Sequence, residues 1–135
     1  MANNATWFEK MVRPTYAAAE ALTWGDICVL NAEGKLVKWT SSASGVAGLM
    51  FALDDADPAD PEKDAVAVLV GGVSPSTILC NAVAGTYVPG APVYAAEGGK
   101  VAASGTRVVG IYLDGPVTFE AEGKLHVAPM YAPKA

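Results

Sequence analysis

Two stretches of the chain repeat one another. Trp24 to Val37 reads WGDICVLNAEGKLV, and Val88 to Val101 reads VPGAPVYAAEGGKV. Each sets a glycine before an apolar run, follows it with an Ala-Glu-Gly turn, and continues through a lysine into a second apolar run. Short apolar segments joined by a few residues containing Gly are the mark of a β-hairpin. A chain that uses this device twice is committed to antiparallel β-structure. The likeness extends further, because Gly45 to Leu53 reads GVAGLMFAL and Gly105 to Leu113 reads GTRVVGIYL. Each of these carries an internal glycine, Gly48 or Gly110, ahead of large apolar residues. Glycine inside a strand marks a bulge or a close approach of another backbone. The expectation is an all-β protein: two similar units packed into one small antiparallel barrel or sandwich.

The rest of the chain from Trp24 onward fits that frame. Ile27 to Leu30 and the run AVAVLVGGV, Ala65 to Val73, are continuously apolar, as in strands buried on both faces. Thr77 to Val83 reads as a strand or short connector, and Gly85 to Pro92 as a turn-rich link. VTFEAE, Val117 to Glu122, alternates apolar and polar residues, then Glu122-Gly123 turns the chain into KLHVAPM, with Leu125 and Val127 facing inward. This predicts a further hairpin over Val117 to Pro129. Clean alternation is the pattern of an antiparallel sheet with one wet face. Fourteen Gly and nine Pro, spread along the chain, suit many short strands and tight turns.

Residues 1–23 differ, so the expected organisation is an N-terminal arm over 1–23 and a β-domain over 24–135. Trp7, Phe8, Met11 and Val12 stand among charges and are followed by Arg13-Pro14. PTYAAAEAL, Pro14 to Leu22, offers a proline at a first helical position and a run of alanines. It predicts one short helix, marginal by itself and dependent on tertiary contacts. Large aromatics dominate interface energetics, so the arm is the leading candidate for contact with another subunit.

The charge balance and the ionisable residues exclude more than they include. The net charge is −5 and the nine Lys and Arg form no basic stripe, which argues against direct nucleic-acid binding. The longest strongly apolar run falls well short of the about 20 residues a membrane-spanning helix needs. With no secretory leader in MANNATWFEKMVRP, the chain is expected to be made in a cytoplasm, with Cys28 and Cys80 as buried thiols. The one histidine, His126, lies on an alternating strand facing away from Leu125 and Val127, without a nucleophile motif. Two distant cysteines and one histidine do not make a zinc site. Gly98-Gly99-Lys100 lacks the rest of a phosphate loop and reads as a turn. The acidic loop Asp54 to Asp64 has hard oxygen ligands but not the calcium-loop order, and Pro58 and Pro61 restrict how it could wrap an ion. Glu120 and Glu122 share a solvated strand face, a poor setting for a catalytic acid. No enzymatic function and no cofactor are expected. A glycan- or small-molecule-binding β-module is the alternative, with Tyr87, Tyr94 and Tyr112 as candidate contacts.

LTWGDICVL, VLVGGV, GTYVPGAPVYAAEGGKV and RVVGIYL occur in this order between Leu22 and Leu113. In this the chain resembles the small capsid cement, or decoration, proteins of tailed bacteriophages. The resemblance implies a mostly β domain that forms homotrimers on the outer capsid surface. There such proteins sit at three-fold or quasi-three-fold positions and clamp neighbouring major capsid protein subunits. It further implies a virion location after synthesis in the host bacterial cytoplasm. The arm and the segment Val117 to Pro129 are not covered by it. Trp7, Phe8, Met11, Val12, Arg13 and Tyr16 are the residues expected to contact capsid or neighbouring subunits.

Overall fold

A computed structural model of the chain describes residues 15–42, 49–70 and 77–129. These residues form twelve short strands: β1 (Thr15–Ala17), β2 (Ile27–Leu30), β3 (Leu36–Lys38), β4 (Met50–Ala52), β5 (Ala65–Val70), β6 (Ile78–Ala82), β7 (Gly85–Tyr87), β8 (Pro92–Ala96), β9 (Lys100–Ala102), β10 (Val108–Tyr112), β11 (Val117–Phe119) and β12 (Gly123–Pro129). The protein is all-β and antiparallel sheets dominate, as expected, and five of the strands close into a barrel.

The repetition seen in the two hairpins runs through the whole described body. The first five strands lie in the order β1-β5-β4-β2-β3. The barrel lies in the order β6-β12-β10-β8-β9, closed by a parallel pairing of Ala82 with Val101. Strand for strand these are one topology used twice. The first sheet is joined edge to edge in the same way, by a parallel bridge between Ala18 and Leu36. Backbone hydrogen bonds recur at matching places. Ala19 N–H donates to Leu36 O and Val83 N–H to Val101 O, both at 2.9 Å. Gly25 N–H donates to Ala52 O at 2.8 Å, and Gly90 N–H to Tyr112 O at 2.7 Å. Gly25 and Gly90 share a left-handed backbone, with φ of 88° and 83°. Gly34 and Gly99, in the two hairpin turns, have φ of 77° and 74°. The register pairs Leu30 with Leu36 and Ala95 with Val101, so both turns have the same length. The Gly-Lys pairs therefore correspond, and the Ala-Glu-Gly triplets are offset by one residue.

Turn chemistry sets the first hairpin. The Asn31 side chain accepts from the N–H groups of Glu33 at 2.9 Å and Lys35 at 3.0 Å, an Asx turn that points the chain back on itself. Each unit has its own buried cluster. Leu22, Cys28, Leu36, Val66 and Val68 fill the first; Val93, Val101, Val109, Leu125 and Val127 lie at the heart of the second. Val66 and Val68 on β5 match Leu125 and Val127 on β12, both pairs alternating with more exposed neighbours. The second cluster also takes in Ile27 and Phe51 from the first unit.

Three expectations are corrected. The Pro14 to Leu22 helix is absent over its described part: Thr15–Ala17 is a strand paired with β5, and Leu22 pairs with Ala56. Helix propensity in so short a segment is worth little against a neighbouring strand that offers a full ladder. Gly85 to Pro92 is not only turn, since it opens with β7. Val117 to Pro129 is not a hairpin. β11 ends at Phe119 and pairs with β7, whereas β12 pairs with β10 and β6. Local alternation cannot name a strand's partner, and here the partners are distant in sequence.

The two units meet at a joint that depends on glycine. A Cβ on Gly25 would stand 2.0 Å from Leu79 O and 3.2 Å from Cys80 Cα. By contrast, a Cβ on Gly34 would have nothing within 4 Å. Gly34→Ala should therefore cost only the left-handed backbone term, about 1 kcal/mol. Gly25→Ala should cost at least ~2 kcal/mol more, because the clash is with backbone that cannot rotate away. Urea denaturation of the two variants checks the difference; equal losses would contradict the joint.

Candidate functional site

The body is assembled so that the joint consumes one face of each unit and leaves the corresponding faces outside. From the first unit, Ile27 and Phe51 are buried in the second unit's core cluster, with Trp39, Leu49 and Leu53 packed against it. From the second unit, β6 and the tight turn Glu97–Gly99 form the receiving side. Gly99 N–H donates to Trp39 O at 3.2 Å, and Ser41 N–H donates to the Glu97 carboxylate at 2.7 Å. Hydrogen bonds from Ser41 hold the Glu97 carboxyl below its ordinary pKa. Asp26, the one buried charged residue among those described, fixes the turn that carries Gly25. Its carboxylate accepts from Thr23 N–H at 2.8 Å while its own N–H donates to Thr23 O at 3.0 Å.

Among the described residues three large apolar side chains remain outside: Trp24 at 55 % exposure, Val88 at 47 % and Leu113 at 62 %. Val88 and Leu113 flank the hydrogen bond from Gly90 N–H to Tyr112 O, so they lie at one end of the second unit. Leu113 is the positional counterpart of Leu53, which is packed against the second core. Trp24 occupies the corresponding turn of the first unit, and its N–H donates to the Asp55 carboxylate at 2.9 Å.

Trp7, Phe8, Met11, Val12 and Arg13 lie outside the described residues. Tyr16 is placed: it sits in β1 opposite Val66, half-buried and packed on the first core cluster. The structure therefore gives Tyr16 a packing role inside the body. Tyr87 and Tyr112 are buried with rings in a T-shaped contact, 6.4 Å between centroids. Their hydroxyls donate to Val83 O at 2.8 Å and to Gly115 O. Two of the three tyrosines considered for ligand contact are thus core residues, while Tyr94 is half-buried.

Several of the ionisable residues serve local structure. In the acidic loop, Asp57 accepts from Ala59 N–H at 2.9 Å and Asp60 from Glu62 N–H at 3.0 Å, so these carboxylates cap turns. Glu122 pairs with Lys100, and Glu120 is exposed. His126 is exposed, with its Nδ1 3.4 Å from the Thr77 hydroxyl. No cluster of three metal-ligating side chains occurs among the described residues. Cys28 and Cys80 are free and buried. Burial first, and then the Asp26 charge, pushes both thiols up to about 12, far from the thiolate a nucleophile needs.

The exposed ends at Trp24, Val88 and Leu113 escaped sequence reasoning, which put the interface in the arm. The signal was present in the repeat itself: the aligned ends Leu53 and Leu113 are identical, and a head-to-tail joint between repeated units buries only one copy of each surface. No family model, no curated protein and no solved structure matches the chain.

The thiols carry a pH prediction. Unfolded, each ionises near its ordinary value of 9.0; folded, each is pushed up to about 12. Between these values the unfolded chain releases protons that the folded chain keeps. The contribution is intact below pH 9 and is lost as pH rises, by about 1.4 kcal/mol per pH unit for each thiol. Urea denaturation across that window should show a steeper fall for the natural chain than for a C28A/C80A variant. Parallel slopes would mean that the native thiols ionise freely.

Proposed function

We propose that this chain is a structural virion protein that decorates and stabilises the outer surface of a tailed-phage capsid. It acts as a homotrimer at three-fold or quasi-three-fold positions and clamps neighbouring major capsid protein subunits. The observation that carries the reading is the construction of the body: a closed barrel and a five-stranded sheet of the same strand order, welded by a buried joint, with large apolar side chains left outside at Trp24, Val88 and Leu113. The described residues of the motifs from Leu22 to Leu113 that resemble cement proteins belong to this body. Several described carboxylates, Asp26, Asp57 and Asp60 among them, are spent on turns, which fits a mechanical task.

In this reading the mechanism is multivalent. Three modest contacts in one trimer act at high effective concentration on the capsid lattice, so occupancy exceeds what any single contact would support. The arm residues Trp7, Phe8, Met11, Val12 and Arg13 add anchors, and the apolar and aromatic ones supply most of the contact energy. Tyr16 supports the arm from within β1. A net charge of −5 disfavours contact with nucleic acid and directs binding towards protein. The glycan- or small-molecule-binding alternative has less support, since Tyr87 and Tyr112 are buried.

The test mixes the purified protein with cement-free tailed-phage capsids and images them. Stoichiometric density at three-fold positions is expected. A W7A/F8A variant should keep the folded body and lose capsid occupancy at least tenfold, the equivalent of two anchors worth about 1 kcal/mol each. Absence of the natural chain from the capsids overturns the reading, and undiminished occupancy by the variant removes the arm from it.

A further inference from the structure

The internal joint is heterologous: the surface given by the first unit differs from the surface given by the second. The first unit presents Gly25, Phe51 and Leu53, whereas the second presents Leu79 to Asn81 and the Glu97–Gly99 turn. Because the units share one topology, the chain holds a second, unused copy of each surface. The counterpart of the first is the end of the second unit, with Gly90, Ile111 and Leu113. The counterpart of the second is the outer side of the first unit, with Thr15, Ala17 and the turn at Gly34.

The glycines show that both spare surfaces keep the joint's shape. Gly25 and Gly99 are jammed at the joint, where a Cβ on Gly99 would meet Ile27 O at 3.0 Å. Gly90 and Gly34, their counterparts, have the same left-handed backbone and open space around them. Leu53 is packed in the joint, while Leu113 is 62 % exposed. Thr15, Ala17 and Gly34 are exposed as well.

We propose that a second copy of this chain covers the Leu113 end. The contact repeats the internal joint: the Gly90–Ile111–Leu113 end of one copy docks on the Ala17–Gly34 side of the next. Copies then join head to tail, and such a heterologous contact closes a ring of chains when its rotation divides a full turn, as a discrete oligomer requires. Three chains in such a ring carry six similar units. The inference rests on the self-association in the proposed function and not on the capsid, and its test contains no capsid, so either can fail alone.

Analytical ultracentrifugation of the full chain and two variants tests it. The natural chain is expected as a discrete oligomer that is a multiple of 13.8 kDa. Leu113→Asp spoils only the head and Ala17→Asp only the tail, so each alone should sediment as a monomer, with circular dichroism unchanged. Mixed in equal amounts, the two should form a one-to-one dimer and nothing larger, because one intact head meets one intact tail. A monomeric natural chain overturns the proposal. So does a variant that keeps the natural mass, or a mixture that stays monomeric, which is the outcome for a two-fold contact. Should Leu113→Asp lose its fold, Val88→Asp replaces it at the same end.

Discussion

The structure hangs on the approach of the Gly25 backbone to the carbonyl of Leu79, which lets the two units share a core. Residue 25 must lack a Cβ for this to happen, and its left-handed backbone is held by the Asp26–Thr23 hydrogen bonds beside it. A buried carboxylate is costly unless it is satisfied, and here it repays that cost by fixing the turn. With the turn in place, Ile27 and Phe51 enter the second unit's core, where burial of each is worth roughly 1.5–3 kcal/mol. A unit of about 55 residues is marginal by itself, since so small a body buries too little of its surface. Joining two units through a common cluster converts two marginal cores into one adequate core.

The two units diverge where the joint permits. In the first, the pairing of Leu22 with Ala56 is a single bridge; in the second, the same region widens into the β7–β11 ladder, with Thr86 opposite Thr118. That ladder brings Phe119 over Tyr87, 5.8 Å between ring centroids, and roofs the second core. The first unit instead carries the Asp54 to Asp64 loop, whose carboxylates cap its own turns. The second core is thereby larger and aromatic, consistent with its role as the receiver of Ile27 and Phe51.

How much of this was legible in the sequence follows from what each feature depends on. The hairpins at Glu33-Gly34 and Gly98-Gly99 were readable because turn chemistry is local: glycines supply the left-handed residues and Asn31 supplies an Asx cap. The inward facing of Leu125 and Val127 was readable from alternation. β1 was not, because an alanine-rich segment scores as helix while its pairing with Val66 is a tertiary matter. The separation of β11 from β12 was hidden for the same reason, as no residue in VTFEAEG announces that its partner is Thr86. The duplication was visible in the hairpin turns and in the strands ending at Leu53 and Leu113. Elsewhere Tyr16 corresponds to Cys80, and Val66 to Leu125, pairs that share burial or strand position but not identity. As for the candidate surface, the arm drew attention through its aromatics, whereas Leu113 looked like one more strand residue until its counterpart Leu53 was found inside the joint.

The joining of outer strands in both units bears on how such a body can associate. An open sheet edge offers unpaired backbone groups to any strand and invites non-specific pairing. Here Ala18–Leu36 and Ala82–Val101 join the outer strands of each five-stranded unit, which reduces the edges that a chain 52% hydrophobic presents. The surplus is displayed as side chains at particular ends, Leu113 and Val88 on one unit and Trp24 on the other. Contacts made through side chains require a complementary shape and can discriminate between partners. Contacts made through edges require only another strand. In the described body the parallel pairings Ala18–Leu36 and Ala82–Val101 occupy outer strands of both units, so contact through side chains gains weight over contact through edges.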